Sequence, residues 1–168
     1  MRRRVLALAQ IAPVLGDVAQ NLSTHRAKLA EAGAAGADLV VFPELSLTGY
    51  QLQDLVPEVA MSRDDARLMS LAKGTEEGPS AVVSFVERSE DHRLFASAAL
   101  LEGGEIRHVA RKCYLPTYGL FDERRFLAPA DAVRSARARL GGAGVRGEVG
   151  IGIGICEDFW HPTLPTLL

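Results

Sequence analysis

Apolar side chains along this chain come in short runs that alternate with turn residues, the pattern of a layered α/β protein. Residues 5–11 read as a buried first strand, closed by the turn Pro13-Val14-Leu15-Gly16-Asp17. Asp17 is placed to cap a helix over residues 18–32, whose apolar positions Val18, Leu22, Leu29 and Ala32 share one face; Gly33 and Gly36 are its expected stop. The run Ala37-Asp38-Leu39-Val40-Val41-Phe42 fits a second buried strand and completes a βαβ unit. Residues 47–58 lack periodicity and read as loop. Residues 63–73 read as a short helix stopped at Gly74, and 81–87 as a strand. Residues 94–101 and 106–112 flank Glu102-Gly103-Gly104-Glu105, a hairpin signature. The stretch 114–129, rich in aromatic, proline and charged residues, reads as irregular. The Ala-, Arg- and Gly-rich stretch 131–147 reads as a surface excursion. Residues 149–155 alternate apolar side chains with glycine, as in a strand that something approaches closely. No repeat or linker divides the chain, although two strand-rich halves, 1–90 and 91–160, can be distinguished.

Composition narrows the function classes. At 168 residues and 18.0 kDa the chain is one domain in length, large enough to bury about 68–70% of its unfolded surface. Hydrophobic residues at 48% and charged residues at 24% suit a globular protein, not a disordered one. A net charge of −2 offers no basic field, so no nucleic-acid partner is expected. No apolar run reaches the length of a membrane span. Met1-Arg2-Arg3-Arg4 before an apolar stretch imitates a secretory signal, but Gln10 interrupts it and no small-residue cleavage site follows. Two cysteines, Cys113 and Cys156, are too few for a disulfide framework and point to a reducing, cytoplasmic setting. His25, His92, His108 and His161 lack metal-ligand spacing, so no metal is expected; His161 beside Pro162 reads as a packing or capping group.

Three residues stand where chemistry is built in α/β proteins, at the ends of predicted strands. Cys156 follows one strand and precedes Glu157-Asp158 at a strand-to-helix turn, where backbone N–H groups can lower a thiol pKa and hold an oxyanion. Glu44, in Phe42-Pro43-Glu44, follows a second strand, and Lys112 ends the hairpin. Each has a plainer reading: a buried packing thiol, a solvated loop carboxylate, a surface lysine. Together they form a coherent device. A thiol needs a base, a carboxylate raised by burial can be that base, and a dry lysine can stabilise an oxyanion.

The motifs around these residues carry a resemblance. Phe42-Pro43-Glu44-Leu45-Ser46-Leu47-Thr48-Gly49-Tyr50, Arg111-Lys112-Cys113-Tyr114-Leu115-Pro116 and Gly154-Ile155-Cys156-Glu157-Asp158 resemble, in order and spacing, three motif blocks of the nitrilase superfamily of carbon–nitrogen hydrolases. The opening from Ala9 to Asp17, with Asn21, is similar to that family's first strand and helix. The stretches 48–55, 115–126 and 155–160 narrow the resemblance to the glutaminase domain of glutamine-dependent NAD synthetases. The resemblance implies a four-layer α-β-β-α sandwich and a Glu-Lys-Cys triad. Glu44 would be general base, Cys156 nucleophile, and Lys112 the oxyanion partner with the backbone N–H of Glu157. Tyr118, Glu123 and Glu157 would line the substrate site, Glu123 also serving as a second active-site carboxylate. It implies glutamine as substrate, or else another small aliphatic amide or nitrile, and no cofactor for the hydrolase. ATP and an NAD precursor would belong to a synthetase domain outside these residues. The family's further strands and a later serine-containing block are not among them either, and an asparagine expected near Leu94-Phe95-Ala96-Ser97 is missing. The chain therefore reads as the N-terminal portion of one such domain. It is expected to work in a homo-oligomer or beside a synthetase domain, or, as the alternative, to be a noncatalytic subunit that needs a partner chain.

Overall fold

A parallel βαβ unit opens the chain as its pattern dictates. The computed structural model describes residues 4–130, 137–140 and 149–162. Strand β1 (Leu6–Leu8) pairs in parallel with β2 (Leu39–Val41), and helix α1 (Val18–Ala34) crosses between them. Asp17 caps α1, its Oδ1 accepting the Gln20 N–H at 2.9 Å, and Val18, Leu22, Leu29 and Ala32 are buried. The helix runs two residues past the expected stop, carrying Gly33 in its last turn. The first strand is shorter and less buried than the run 5–11 suggested. It is an edge strand, so only Ala7 turns toward the core, while Leu6 and Leu8 are 56% and 76% exposed on the opposite face.

The expected loop 47–58 contains a 3-10 turn (Gln53–Leu55) and a single helical turn, α2 (Val56–Val59), anchored by buried Val56 and Val59. Helix α3 (Ala66–Lys73) starts three residues later than the pattern suggested, because Asp65 caps it by accepting the Arg67 N–H. Strands β3 (Ser80–Arg88), β4 (Leu94–Glu102) and β5 (Glu105–Arg111) then complete a sheet of order β1-β2-β3-β4-β5. Strands β1 to β3 are parallel, and β3-β4-β5 is an antiparallel meander. The β4–β5 turn holds Gly103 and Gly104 at φ +59° and +83°, the left-handed pair a two-residue hairpin demands. Position 90 lies in the β3–β4 connection, inside a long antiparallel pairing. The two strand-rich halves are thus one sheet.

Helix α4 (Glu123–Phe126) interrupts the stretch expected to be irregular. Most of the expected surface excursion, 131–147, lies outside the described residues. Its segment β6 (Arg137–Leu140) is a strand instead, antiparallel to β7 (Val149–Gly152). One face of the large sheet packs Val40, Val83, Phe85 and Leu101 against Leu22, Leu29, Leu68 and Leu71 of α1 and α3. On the other face Ala98, Leu100 and Ala110 meet Ile153 and Ile155, with Ile151 against them. Helices, five-stranded sheet and two-stranded sheet are three successive layers of the expected α-β-β-α order. Gly154 carries the expected close approach: a Cβ there would stand 2.7 Å from the Phe159 ring.

At the carboxyl end of β3 the Glu87 carboxylate is fully buried. It accepts from Arg63 Nε at 2.7 Å, Arg111 Nε and Nη2 at 2.9 and 2.7 Å, and Ser97 Oγ at 2.6 Å. Burial pushes this carboxyl up, but the bonds from Arg111, Ser97 and Arg63 outweigh it and hold the pKa below the usual range. Glu87→Ala should cost about 3–5 kcal/mol, since it breaks the buried carboxylate's bonds to two arginines and a serine at once, and lower the unfolding midpoint by about 2–4 °C per kcal/mol. A pKa lowered in the folded state stabilises above the unfolded value and loses that contribution as pH falls through the folded one. Thermal melts should show the deficit in full at about pH 7, and a smaller gap between variant and wild type below about pH 4.

Candidate active site

Because β5 runs parallel to β2 and β3, the carboxyl ends of β2 and β5 lie along one edge of the sheet. The chain leaves β2 through Phe42-Pro43 to Glu44, and leaves β5 directly into Lys112. Side chains alternate along β5, so Arg111 turns to the Glu87 cluster and Lys112 to the opposite side. Lys112 is not a surface lysine: it has no exposed area. Its Nζ donates to Glu44 Oε1 at 2.6 Å and to Glu123 Oε1 at 2.7 Å. Burial pushes the ammonium down in pKa, but the two carboxylates raise it above the ordinary lysine value, so it stays charged.

Cys156 stands at the start of a 3-10 turn (Cys156–Phe159) that follows β7, with φ +45°. A non-glycine residue in that region stores about 1–3 kcal/mol of strain and needs neighbours to hold it. Asp158 is that neighbour. Its Oδ2 accepts the Ile155 N–H at 3.0 Å, and its Oδ1 accepts the N–H groups of Cys113 and Tyr114 at 2.9 and 3.0 Å. A buried carboxylate thus ties the cysteine turn to the segment that follows Lys112. Cys156 is exposed, and its thiol and the Glu44 carboxylate are close enough to shift each other's proton affinity.

The thiol is not lowered in pKa by its turn, as the sequence suggested. Burial and the Glu44 charge push it up, with Lys112 opposing. Burial likewise raises Glu44 above the usual carboxylate range, against the pull of Lys112. A thiol held protonated beside a carboxylate with raised proton affinity is arranged for proton transfer at the moment of attack, not for a resting thiolate. Cys113, half-buried, is pushed up to about 11, first by burial and then by Asp158.

Glu123, in the first turn of α4, joins the site at Lys112 and accepts from the Tyr50 hydroxyl at 2.5 Å. Its Oε2 is buried without a hydrogen-bond partner among the described residues. Tyr118 lies farther out, 57% exposed, and donates to Glu157 Oε2 at 2.8 Å. Phe121 stands edge-on to both Tyr50 and Tyr118, which makes an aromatic row beside the charged cluster. A cavity of about 390 Å³ is lined by Tyr50, Phe121 and Glu123 and not by Lys112 or Cys156. His161 stacks on Tyr114 with centroids 3.7 Å apart, the packing role read from the sequence. All six site residues named from the sequence therefore converge. Tyr50, Phe121 and Asp158 were missed. They stood inside the quoted motifs, and an acidic residue two positions after a cysteine at a turn was the available signal for Asp158.

Comparison with known proteins supplies the family and the fold. The family model for carbon–nitrogen hydrolases matches residues 5–168. The glutamine-dependent NAD(+) synthetase of Thermotoga maritima is 36% identical over 168 residues, covering 99% of this chain and 27% of the relative. That of Synechocystis sp. is 35% identical over 163 residues, covering 93% and 28%. The chain thus spans a little over a quarter of the length of these relatives. Among solved structures, the glutamine-dependent NAD+ synthetase of Acinetobacter baumannii aligns with TM-score 0.75 and 31% identity, over 92% of this chain and 28% of that one. A nitrilase-superfamily member of Saccharomyces cerevisiae aligns with TM-score 0.76 at 19% identity, over 95% and 57%, a likeness of fold. Among the described residues no helix is long and apolar enough to cross a membrane.

The charges around Cys156 predict opposite responses. Glu44→Gln removes the anion that raises the thiol, so Cys156 alkylation by iodoacetamide should shift to lower pH. Lys112→Met removes the cation that lowers it, so the profile should shift to higher pH. Peptide mapping with Cys113 as reference reads both.

Proposed function

Because the chain belongs to the carbon–nitrogen hydrolase family, we propose that it carries the site of a glutamine amidohydrolase in which Cys156, Glu44 and Lys112 act as nucleophile, base and oxyanion partner. One observation carries the reading: a fully buried lysine bonded to both Glu44 and Glu123, with the Cys156 thiol in the electrostatic reach of the same three charges. Glu44 takes the Sγ proton as sulfur attacks the carboxamide carbon. Charge develops on the carbonyl oxygen, where the Lys112 ammonium and the Glu157 backbone N–H receive it. Two of the three Lys112 N–H groups are engaged by Glu44 and Glu123, which leaves one to meet that oxygen. The tetrahedral intermediate collapses, Glu44 returns its proton to the nitrogen, and ammonia leaves. The acyl group remains as a thioester on Cys156. Glu44 then deprotonates a water that attacks the thioester, and the proton passes to the departing sulfur as glutamate is released. These groups supply every proton transfer, so hydrolysis is assigned no cofactor.

Glutamine is favoured over other amides by the relatives, whose names declare glutamine dependence, and by Glu157 and Tyr118. Their carboxylate and hydroxyl stand at the outer end of the site, where an α-ammonium group would be received. The ammonia would feed NAD synthesis, with ATP and the NAD precursor handled by a synthetase domain outside these residues. A free thiol nucleophile suits a reducing cytoplasm. Exposed Leu6, Leu8 and Trp160 favour a chain that works in an assembly, as a homo-oligomer or against a synthetase domain. They also support the second reading, a subunit inactive until a partner joins.

An electrophilic glutamine analogue should label Cys156 alone, in competition with glutamine, and labelling should vanish in Cys156→Ala and fall by about 10²-fold or more in Glu44→Gln. Equal labelling of Cys113 and Cys156, or no protection by glutamine, would refute the glutamine site. Labelling that appears only after a synthetase domain is added would favour the second reading.

A further inference from the structure

His25 is a fully buried titratable group that the hydrolytic cycle leaves unused. Its Nδ1 lies 2.6 Å from the Asn21 carbonyl oxygen, its Nε2 lies 2.9 Å from Ser46 Oγ, and its ring stacks on Phe42 with centroids 4.2 Å apart. These contacts determine the tautomer. A carbonyl oxygen only accepts, so Nδ1 carries the proton, and Nε2 of the neutral ring is a bare acceptor. Burial holds the pKa down at about 4, so the ring is neutral near pH 7. The Ser46 hydroxyl therefore donates to Nε2 and turns a lone pair to the Ser84 N–H, 3.3 Å away.

That hydroxyl fills a vacancy in the sheet. Pairing of β2 with β3 ends at Val41↔Val82, and the Phe42 N–H still reaches the Val82 carbonyl at 3.0 Å. The chain then turns away, and the next β3 groups facing β2, those of Ser84, lose their strand partner. The Leu47 N–H takes the Ser84 carbonyl at 2.9 Å, and Ser46 Oγ stands in for the carbonyl that the Ser84 N–H would have met. Asn21, one turn before His25 on α1, holds the Leu47 carbonyl at 3.1 Å. Glu44 lies midway between the two points of attachment, Phe42 and Ser46, and is followed by Leu45 at φ +47°. A strained residue of this kind persists only where its surroundings over-determine it.

We propose that His25, acting through the Ser46 hydroxyl, is a positioning residue that fixes the Glu44 turn against β3 and so sets where the Glu44 carboxylate meets Cys156 and Lys112. The proposal rests on Glu44 being the base for Cys156. His25 itself touches no reacting atom.

The test uses the full chain and the pH profile of Cys156 alkylation by iodoacetamide, with Cys113 as internal reference. Glutamine hydrolysis is followed in parallel, and circular dichroism verifies folding. Lys112 and Glu123, the other charged groups that bear on Cys156, stay in place in every variant. Ser46→Ala and His25→Leu should move the Cys156 profile in the acid direction taken by Glu44→Gln, by about half a unit or more, while that of Cys113 stays put. In hydrolysis they should lower kcat by about 10–100-fold with KM little changed, the signature of a displaced catalytic group. His25→Gln should recover most of the loss, because its Oε1 reaches as far as Nε2 and accepts from Ser46. If Glu44→Gln shifts the profile but folded Ser46→Ala and His25→Leu do not, the positioning role is overturned while the base assignment stands. If Glu44→Gln shifts nothing, the base assignment falls and takes the proposal with it. Equal shifts at Cys113, or no recovery in His25→Gln, would reduce the effect to general loosening and also overturn it. Should His25→Leu fail to fold, Ser46→Ala decides.

Discussion

A lysine ammonium with no exposed surface has given up the water that would otherwise solvate it, and only anions close by can replace that water. Lys112 meets this demand with Glu44 on one side and Glu123 on the other. Removing both would leave the ammonium uncompensated in the interior, at a cost of several kcal/mol. The requirement reaches outward through the fold. Glu44 must be delivered by the turn after β2, Glu123 by the first turn of α4, and Lys112 by the end of β5. The sheet order and the direction of the meander are what bring these three to one edge.

The same contact explains the proton chemistry. Burial, and after it the Glu44 charge, push the neighbouring thiol up and keep it protonated against the pull of Lys112. A resting thiolate would react with any electrophile that reached an exposed sulfur. In the proposed mechanism, a protonated thiol beside a carboxylate of raised proton affinity waits for a carbonyl that Lys112 polarises. Reactivity is thereby tied to the presence of the right oxygen in the right place.

Much of this was legible in the sequence, for identifiable reasons. Helix α1 announced itself through Asp17 and a single apolar face, and the β4–β5 hairpin through its paired glycines. Glu44, Lys112 and Cys156 stood at strand ends, and their flanking motifs sufficed to group them with Tyr118, Glu123 and Glu157. What stayed hidden depended on partners remote in sequence. Nothing local to residues 5–11 says that β1 lies at an edge with Leu6 and Leu8 outward, because edge position is a property of the whole sheet. The sign of the Cys156 shift was missed for a similar reason. The turn alone favours a thiolate, and burial together with Glu44, more than a hundred residues earlier, reverses it. Asp158 reads as one more acidic residue until the Cys113 and Tyr114 N–H groups are seen converging on it.

The order in which the cluster is written along the chain has a consequence for biosynthesis. Glu44 comes first, then Lys112 and Glu123, and Cys156 last, on a turn whose left-handed backbone is held by Asp158 reaching back to the segment after Lys112. A ribosome makes Glu44 and Lys112 before Cys156 exists, and the five-stranded sheet that positions them is complete in sequence by Arg111. Cys156 therefore emerges onto a surface already written to receive it. Until its turn closes on that surface it remains an ordinary cysteine, without the burial, the Glu44 carboxylate and the Lys112 ammonium that set its proton affinity in the folded chain.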